Sequence, residues 1–321
     1  MGLRNSSVKR RSVWSARQAL RACSSKPRLP RGDLPPFTAG AHIDLHLRNN
    51  TVRSYSLLNP QSEQHRYVIA VALDRNSRGG SSFIHHALRV GDCFPVSMPR
   101  NNFRLAEAGE HSVLIAGGIG ITPLWCMVQR LRELNRSWEL YYCTRTRQAT
   151  AFYEALSTLP AGERDRVHFN FDEETDGRML DLAAVLKDAD PACHYYCCGP
   201  VPMLIAFEAA TASLPRDRVH VEYFTAKDAP VMSGGFTVVL ARSERTIAIP
   251  QGKSILDALL EAGIDVPHAC TMGTCATCET RVLDGVPDHR DVVLSPEEKA
   301  SNEVMMICCS GCIGDRLVLD R

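Results

Sequence analysis

The sequence predicts a three-domain protein, in which an antiparallel β-barrel is followed by a parallel α/β sheet and then by a small α+β domain. Three observations predict this order. Short alternating segments fill Pro35 to about Pro99, strands alternate with helices from Ser112 to Phe224, and a hairpin, one helix and a cysteine loop follow Phe236. A length of 321 residues suits two or three domains.

The first domain is predicted from period-two alternation. Apolar and polar residues alternate from Ile43 to Leu47, Asn49-Asn50 offers a tight turn, and Val52–Leu57 returns as the partner strand. Tyr67–Leu73 is a further predicted strand. Short antiparallel strands with turn signals between them are typical of a small barrel.

The second domain is predicted from apolar runs of strand length that alternate with helical spacing. Thr122 is expected to cap the first helix and Pro123 to begin it. Five strands with helical crossovers predict a parallel sheet covered by helices on both faces. The predicted strands are Val113–Ala116, Glu139–Cys143, Val167–Phe171, Tyr195–Cys198 and Val219–Tyr223.

The third domain follows a linker at 227–235 that is rich in small residues. Phe236–Leu240 and Thr246–Ile249 predict a hairpin, and Ser254 is expected to cap a helix that runs to Glu261. A mixed sheet that holds one helix, with the cysteine loop at its edge, is therefore predicted.

The cysteine loop carries the most specific motif in the chain. Cys270, Cys275 and Cys278 follow the pattern C-x4-C-x2-C, and 29 residues separate Cys278 from Cys308. This is the ligand spacing of a plant-type [2Fe–2S] cluster, which transfers one electron at a time. A structural zinc site, which usually pairs two C-x2-C knuckles, is the alternative, but the C-x4-C step from Cys270 to Cys275 favours the cluster.

The fourth ligand is the least certain of the set. Cys308, Cys309 and Cys312 lie together, and the spacing favours Cys308, then Cys309, then Cys312. A spare thiol beside a cluster would be a small buried apolar group or a site of oxidation.

Composition excludes some classes of protein. A formal net charge of +1 argues against a nucleic-acid binder, and no apolar run approaches the length of a membrane-spanning helix. The chain has 13 cysteines, most of which fall in the predicted cluster loop or in apolar segments. We expect them to be reduced, in a cytoplasmic protein.

Two glycine-containing turns are candidates for nucleotide binding. Each follows a predicted strand and opens a helix, where backbone N–H groups can bind phosphate or line a ligand pocket. A plain strand–helix turn is the alternative for the first of them, and for the second we expect Cys198 to line a nicotinamide pocket without forming a covalent bond. The candidate residues are Gly117, Gly118, Gly120 and Thr122 in the first turn, and Cys198, Gly199 and Pro200 in the second.

Two further motifs lie in the barrel region. An arginine, hydroxyls and an aromatic ring on one strand can hold a phosphate and a planar ring, and a Gly-Gly-Ser turn before a helix can hold phosphate. Each motif alone is more typical of a turn or a surface than of a cofactor site. The residues are Arg53, Ser54, Tyr55 and Ser56, and then Gly79, Gly80 and Ser81.

The order RSYS, GGSS, GGIGITP, CCGP, EYF and C-x4-C-x2-C resembles the phthalate dioxygenase reductase and vanillate O-demethylase reductase family over residues 33–321. The resemblance implies an FMN-binding barrel at 33–108, an NAD-binding domain at 109–226 and a β-grasp ferredoxin domain at 236–321. It implies that the RSYS and GGSS residues hold FMN, that GGIGITP and CCGP contact NADH, and that Phe224 covers the flavin.

The same resemblance implies the activity. Electrons would pass from NADH to FMN, then to [2Fe–2S], and then to a Rieske-type aromatic oxygenase or O-demethylase, of vanillate type. A cytochrome P450 acceptor and a redox-sensing protein without turnover are the alternatives. Arg145 and Arg147 leave NADPH open, because arginine can meet its 2′-phosphate. The aromatic substrate would be bound by the partner oxygenase, so this sequence does not identify it.

The start of the chain departs from that family. Residues 1–32 hold nine Lys or Arg, six Ser and no acidic residue, with no clear alternation. A transit peptide has this composition, but a divergent or foreign start is the favoured interpretation. If the first barrel strands are missing, the barrel keeps an open edge.

Overall fold

The computed structural model of the chain describes residues 14–15, 34–48, 51–74, 77–89, 92–175 and 177–321. Within them, two small antiparallel pairs precede a five-stranded parallel sheet and a five-stranded mixed sheet, in the predicted order. No helix in these ranges is long and apolar enough to cross a membrane.

The first domain is formed by short strands and one helix. The strands β2 and β3 pair in antiparallel register, with Ile43 opposite Tyr55. Isolated bridges extend this pair by joining His42 to Arg100 and Leu45 to Val96. The predicted turn at 49–50 lies outside the described residues. The elements are β1 (Trp14–Ser15), β2 (His42–His46), β3 (Val52–Ser56), β4 (Ala70–Val71) and α1 (Gly80–His86).

The predicted strand Tyr67–Leu73 was too long, since only Ala70–Val71 form a strand. The amide N–H of Val68 donates to the side-chain Oδ1 of Asn59 at 2.9 Å, so it is not available to a strand ladder. The apolar alternation in Tyr67–Leu73 therefore indicates side-chain burial, but most of the segment does not pair as a regular strand.

The strand β1 lies within residues 1–32, where no barrel strand was expected. Trp14 is opposite Val71 and Ser15 is opposite Ala70, in antiparallel register. The rest of 1–32 lies outside the described residues. At least this short piece of the segment therefore adds to the edge of the barrel.

The second domain is the predicted parallel sheet, with strand order β7-β6-β5-β8-β9. The helix α2 begins one residue before the expected cap, so the prediction for Thr122 as a cap was wrong. A 3₁₀ turn at Gly118–Gly120 leads into the helix, and the Thr122 hydroxyl donates to the Ile119 carbonyl at 3.0 Å within the first turn. The elements are β5 (His111–Gly117), α2 (Ile121–Glu133), β6 (Ser137–Thr144), α3 (Tyr153–Ser157), α4 (Ala161–Arg164), β7 (Val167–Phe171), α5 (Leu182–Val185), β8 (His194–Cys198), α6 (Val201–Ala210) and β9 (Val219–Glu222).

The barrel and the sheet share one hydrophobic core. Leu124 and Met127 of α2 belong to the same buried cluster as Leu45 of β2. The side chain of Gln129 also donates to the Leu58 carbonyl at 2.8 Å. This shared packing fixes the helix after the glycine turn against the barrel.

The third domain is a mixed sheet with strand order β11-β10-β14-β12-β13. As predicted, Ser254 caps α7, and Asp257 completes a capping box with it. The predicted linker packs closely on this domain, since the Val231 N–H donates to the Cys309 carbonyl at 2.8 Å. The elements are β10 (Phe236–Leu240), β11 (Arg245–Ile249), α7 (Ile255–Glu261), β12 (Glu279–Asp288), α8 (Pro296–Ser301), β13 (Val304–Met306) and β14 (Gly311–Leu319).

Candidate functional site

The four predicted cluster ligands are buried together at one edge of the third domain. Cys270 interacts with Cys275 and with Cys308, and Cys278 interacts with Cys308. Each of the four residues is at most 4% exposed. Four converging thiols with little exposure to water are the donor set that an iron–sulfur cluster requires.

Backbone N–H groups of the loop point at these sulfur atoms. The amides of Met272 and Thr274 each lie 3.4 Å from the Cys270 Sγ, and the amide of Gly273 lies 3.3 Å from the Cys308 Sγ. N–H donors around the ligands stabilise the negative charge of thiolates and sulfides. The loop therefore fits a [2Fe–2S] cluster in its polar groups as well as in its spacing.

The other two candidates for the fourth ligand have carbonyl oxygens as neighbours, although Cys309 also lies against Cys308. The Sγ of Cys309 lies 3.6 Å from the Met306 carbonyl oxygen, and the Sγ of Cys312 lies 3.4 Å from the Arg316 carbonyl oxygen. Of the three, only Cys308 is placed against both Cys270 and Cys278.

The RSYS residues lie on β3, where the barrel faces the third domain. The guanidinium of Arg53 donates to the carbonyls of Val52 and Arg78, each at 2.7 Å. The Ser54 hydroxyl donates to Asp44 at 2.7 Å. Tyr55 packs against the shared core, and burial raises the pKa of its hydroxyl to about 12, so the ring remains neutral. Ser56, at the end of β3, is buried.

The GGSS turn lies against the strand that carries RSYS. A Cβ at Gly80 would lie 2.6 Å from the Cγ of Arg53, so glycine allows the two segments to touch. Gly79 precedes α1 with a φ of 91°, which favours glycine. The Ser81 hydroxyl donates to the Oγ of Ser77 at 3.0 Å. Two motifs about 25 residues apart in sequence thus form one surface.

The two glycine-containing turns of the second domain meet at the carboxyl edge of the sheet. They follow neighbouring strands, β5 and β8. A Cβ at Gly120 would lie 2.1 Å from the Cys198 carbonyl oxygen, and a Cβ at Gly117 would lie 3.1 Å from the Cα of Gly199. Gly118 has a φ of 55° and nothing within 4 Å of a Cβ position, so it faces open space. This edge is where open α/β sheets bind their ligands.

Around that edge, Cys198 is fully buried, and burial raises the pKa of its thiol well above the usual value. Phe224 packs against the shared core that also contacts Tyr55. Pro200 is the N-cap residue of α6. A fully buried neutral thiol packs as a small apolar group, and the role of Cys198 in a nicotinamide pocket stays a prediction.

Sequence reasoning quoted Glu222 in the EYF motif but gave this residue, at the end of β9, no role. The residue is only partly buried as a whole, but its Oε2 atom is inaccessible and has no hydrogen-bond partner among the described residues. Burial raises the pKa of this carboxyl to about 8, and in its ionised form the carboxylate also raises the pKa of the nearby Cys198 thiol. The available signal was an acidic residue at the carboxyl end of an apolar strand.

Sequence reasoning also missed the contacts that join the barrel to the cysteine loop. Arg100 donates to the Thr277 hydroxyl at 2.9 Å, and Arg78 donates to the Cys270 carbonyl at 3.4 Å. Val52 of β3 packs against the loop beside Met272. The predicted cluster ligands therefore lie next to the strand that carries RSYS.

Arg145 and Arg147, which could bind the 2′-phosphate of NADPH, differ in their surroundings. The guanidinium of Arg147 makes a bidentate contact with Glu174, at 2.8 and 3.1 Å, and stacks over Phe171. Arg145 is exposed. Glu174 would repel a phosphate beside Arg147.

Comparisons with known proteins identify two domain families within the chain. Residues 114–209 match the family model of the oxidoreductase NAD-binding domain, and residues 238–312 match that of the 2Fe-2S iron-sulfur cluster binding domain. The phenoxybenzoate dioxygenase subunit beta of Ectopseudomonas oleovorans is 54% identical over 90% of this chain and 89% of its own length. The tetrachlorobenzoquinone reductase of Sphingobium chlorophenolicum is 53% identical over 89% of each protein.

A solved structure is similar over the same span. It is described as phthalate dioxygenase reductase, a modular structure for electron transfer from pyridine nucleotides to [2Fe–2S]. It is 39% identical, with a TM-score of 0.69, and the match covers 91% of this chain and 90% of that chain.

Proposed function

The chain belongs to the phthalate dioxygenase reductase and vanillate O-demethylase reductase family, and from that membership we propose that it is the reductase component of a Rieske-type aromatic oxygenase or O-demethylase. It is an oxidoreductase with an NAD-binding domain and a [2Fe–2S] domain. When bound, FMN would supply an acceptor for the hydride of NADH, and the [2Fe–2S] cluster would supply a one-electron carrier toward the partner protein.

The cluster would be held by Cys270, Cys275, Cys278 and Cys308. Their burial and mutual contacts support this assignment, as do the three N–H groups aimed at Cys270 and Cys308. The closed loop keeps water from the sulfur atoms, which protects thiolates from oxidation.

The flavin would be held at the surface that β3 and the GGSS turn share. Arg53 would neutralise the phosphate, and the hydroxyls of Ser56 and Ser81 and the N–H groups after Gly79 and Gly80 would donate to it or to the ring. Ser54 lies on the same strand, but its hydroxyl donates to Asp44. Tyr55 supplies an aromatic face that burial keeps neutral.

The nicotinamide nucleotide would lie on the carboxyl edge of the sheet. Gly118, which faces open space, leaves room for the pyrophosphate beside the N-terminus of α2, near Thr122, while Gly117 and Gly120 let the second turn lie close by. Cys198, Gly199 and Pro200 would line the nicotinamide side, and Phe224 would cover the flavin face. We propose NADH as the donor because Glu174 occupies Arg147.

The proposal depends on one observation, the placement of the cysteine loop against β3. Hydrogen bonds from Arg78 and Arg100 hold Cys270 and Thr277 of the loop on the barrel. Electrons can therefore leave the flavin surface for the cluster without a large rearrangement of domains. We propose that this occurs in the cytoplasm.

The test is an acceptor panel supplied with NADH or NADPH. The purified holoprotein is expected to reduce a Rieske-type oxygenase, with NADH preferred over NADPH. An O-demethylase of vanillate type and a cytochrome P450 complete the panel of protein acceptors. If the protein retains both cofactors but reduces none of the oxygenases, the proposal is contradicted.

A substituted quinone is a second candidate acceptor. The tetrachlorobenzoquinone reductase is as similar to this chain as the dioxygenase subunit is, at 53% against 54% identity. Including such a quinone in the panel separates an oxygenase reductase from a quinone reductase. A quinone reductase would turn over the quinone with NADH in the absence of any protein partner.

A further inference from the structure

Asp44 and Arg100 form an ion pair where the barrel meets the cysteine loop. The Arg100 Nη2 lies 2.7 Å from the Asp44 Oδ2, and the two side chains are 33% and 4% exposed. The backbone of Arg100 is fixed by two hydrogen bonds with His42, at 2.8 and 3.0 Å. The pair is thus held in place on the barrel side of the junction.

The ion pair lies within a continuous series of contacts. The Ser54 hydroxyl on β3 donates to the Asp44 Oδ1 at 2.7 Å. On the other side, the same Arg100 Nη2 donates to the Thr277 hydroxyl at 2.9 Å, and that hydroxyl lies 3.1 Å from the Cys275 Sγ. A strand that carries predicted flavin ligands is thereby linked to a predicted cluster ligand.

The orientation of the Thr277 hydroxyl follows from these contacts. The Thr277 oxygen accepts a hydrogen bond from Arg100, so the hydroxyl proton is free to point at the Cys275 Sγ. A metal-bound thiolate can only accept, so the hydroxyl would be the donor. Hydrogen bonds to cluster sulfurs and nearby positive charge stabilise the reduced cluster, which carries one more negative charge.

We propose that Asp44 and Arg100 are a positioning pair that sets the reduction potential of the [2Fe–2S] cluster. Arg100 holds the loop against β3 through Thr277 and contributes positive charge near Cys275, while Asp44 fixes the guanidinium and partly offsets its charge. This inference rests on the proposed function, because it assumes that the four cysteines bind the cluster.

The test is a mediated redox titration of the full-length holoprotein, read by electron paramagnetic resonance of the reduced cluster. Arg100→Gln should lower the equilibrium constant for cluster reduction about tenfold, which is 59 mV for a one-electron couple. Asp44→Asn should shift the potential in the opposite direction, because the guanidinium charge is then less offset. Arg48→Gln is the matched control, since Arg48 pairs with Asp92 elsewhere on the barrel and should leave the potential unchanged.

The signs of the two shifts in reduction potential separate this role from a merely structural one. A structural role would shift the potential of both variants in the same direction, or shift neither. Equal signs for Arg100→Gln and Asp44→Asn, or no shift in either, would overturn the proposal. If Arg100→Gln fails to retain its cluster, Thr277→Val decides. It keeps the ion pair and removes only the hydroxyl, so it should lower the potential, and an unchanged value refutes the inference. Failure of the proposed function would be seen separately, as an unaltered holoprotein whose cluster NADH does not reduce.

Discussion

Replacing Gly273 with Ala should destabilise the bound cluster far more than the same change at another left-handed glycine. Gly273 lies in the cysteine loop with a φ of 69°, and a Cβ there would be 2.5 Å from the Cys309 Sγ and 2.9 Å from the Asp291 Cα. Its N–H also points at the Cys308 Sγ at 3.3 Å. The substitution must therefore displace backbone that faces the cluster.

Gly263, after α7, provides the matched control. Its φ is 75°, and nothing lies within 4 Å of a Cβ position there. Gly263→Ala should cost only the left-handed conformation, about 1–2 kcal/mol. Gly273→Ala should add an overpacking cost of about 1–3 kcal/mol. If the overpacking is relieved when the cluster leaves, the Gly273→Ala protein releases its cluster about five-fold to over a hundred-fold faster than the Gly263→Ala protein.

The assay is the loss of cluster absorbance from the full-length holoprotein in a fixed concentration of urea. We expect the Gly263→Ala protein to lose its cluster at close to the unaltered rate, and the Gly273→Ala protein to lose it much faster or to be purified without it. Equal rates for the two variants would refute the reasoning, because they would mean that the loop is not closed around Gly273.

Three further predictions concern residues of the candidate site. Cys308→Ser should abolish the paramagnetic signal of the reduced cluster, whereas Cys309→Ser and Cys312→Ser should retain it; a normal signal from the Cys308 variant would contradict the assignment. Arg53→Ala should remove charge-assisted hydrogen bonds worth roughly 1.5–3 kcal/mol each and weaken FMN binding about ten-fold or more, and unchanged FMN content after gel filtration would exclude contact with the cofactor. Because burial raises the pKa of Glu222 to about 8, the folded state keeps a proton that the unfolded chain has lost, and stability should fall as the pH rises from about 5 to 8. Glu222→Gln should flatten that fall in a pH series of apparent melting temperatures, and an identical slope in both proteins would show that this carboxyl is not protonated in the fold.

The sequence predicted those parts of the site that depend on local patterns. The cysteine spacing identified four residues that the structure brings together, and the strand–glycine–helix pattern placed Gly118 and Cys198 on one sheet edge. Spacing and periodicity carry this information because ligand loops and strand ends are set by short stretches of chain.

Contacts between distant segments could not be predicted in the same way. Arg100 and Thr277 are 177 residues apart, and no local pattern distinguishes either one from an ordinary surface residue. The strand at Trp14–Ser15 was missed for a similar reason, since two residues are too few to show alternation. The expected cap at Thr122 failed because the preceding glycines form their own 3₁₀ turn.

The central claim is that electrons pass from NADH through the flavin surface to the cysteine loop. The most direct test adds NADH without oxygen to the full-length holoprotein and to the Cys275→Ser variant, and follows flavin absorbance together with the paramagnetic signal of the reduced cluster. We expect flavin bleaching in both proteins and the cluster signal only in the unaltered one. A bleached flavin with no cluster signal in the unaltered protein, or a loss of flavin reduction in a variant that still binds FMN, would contradict the account.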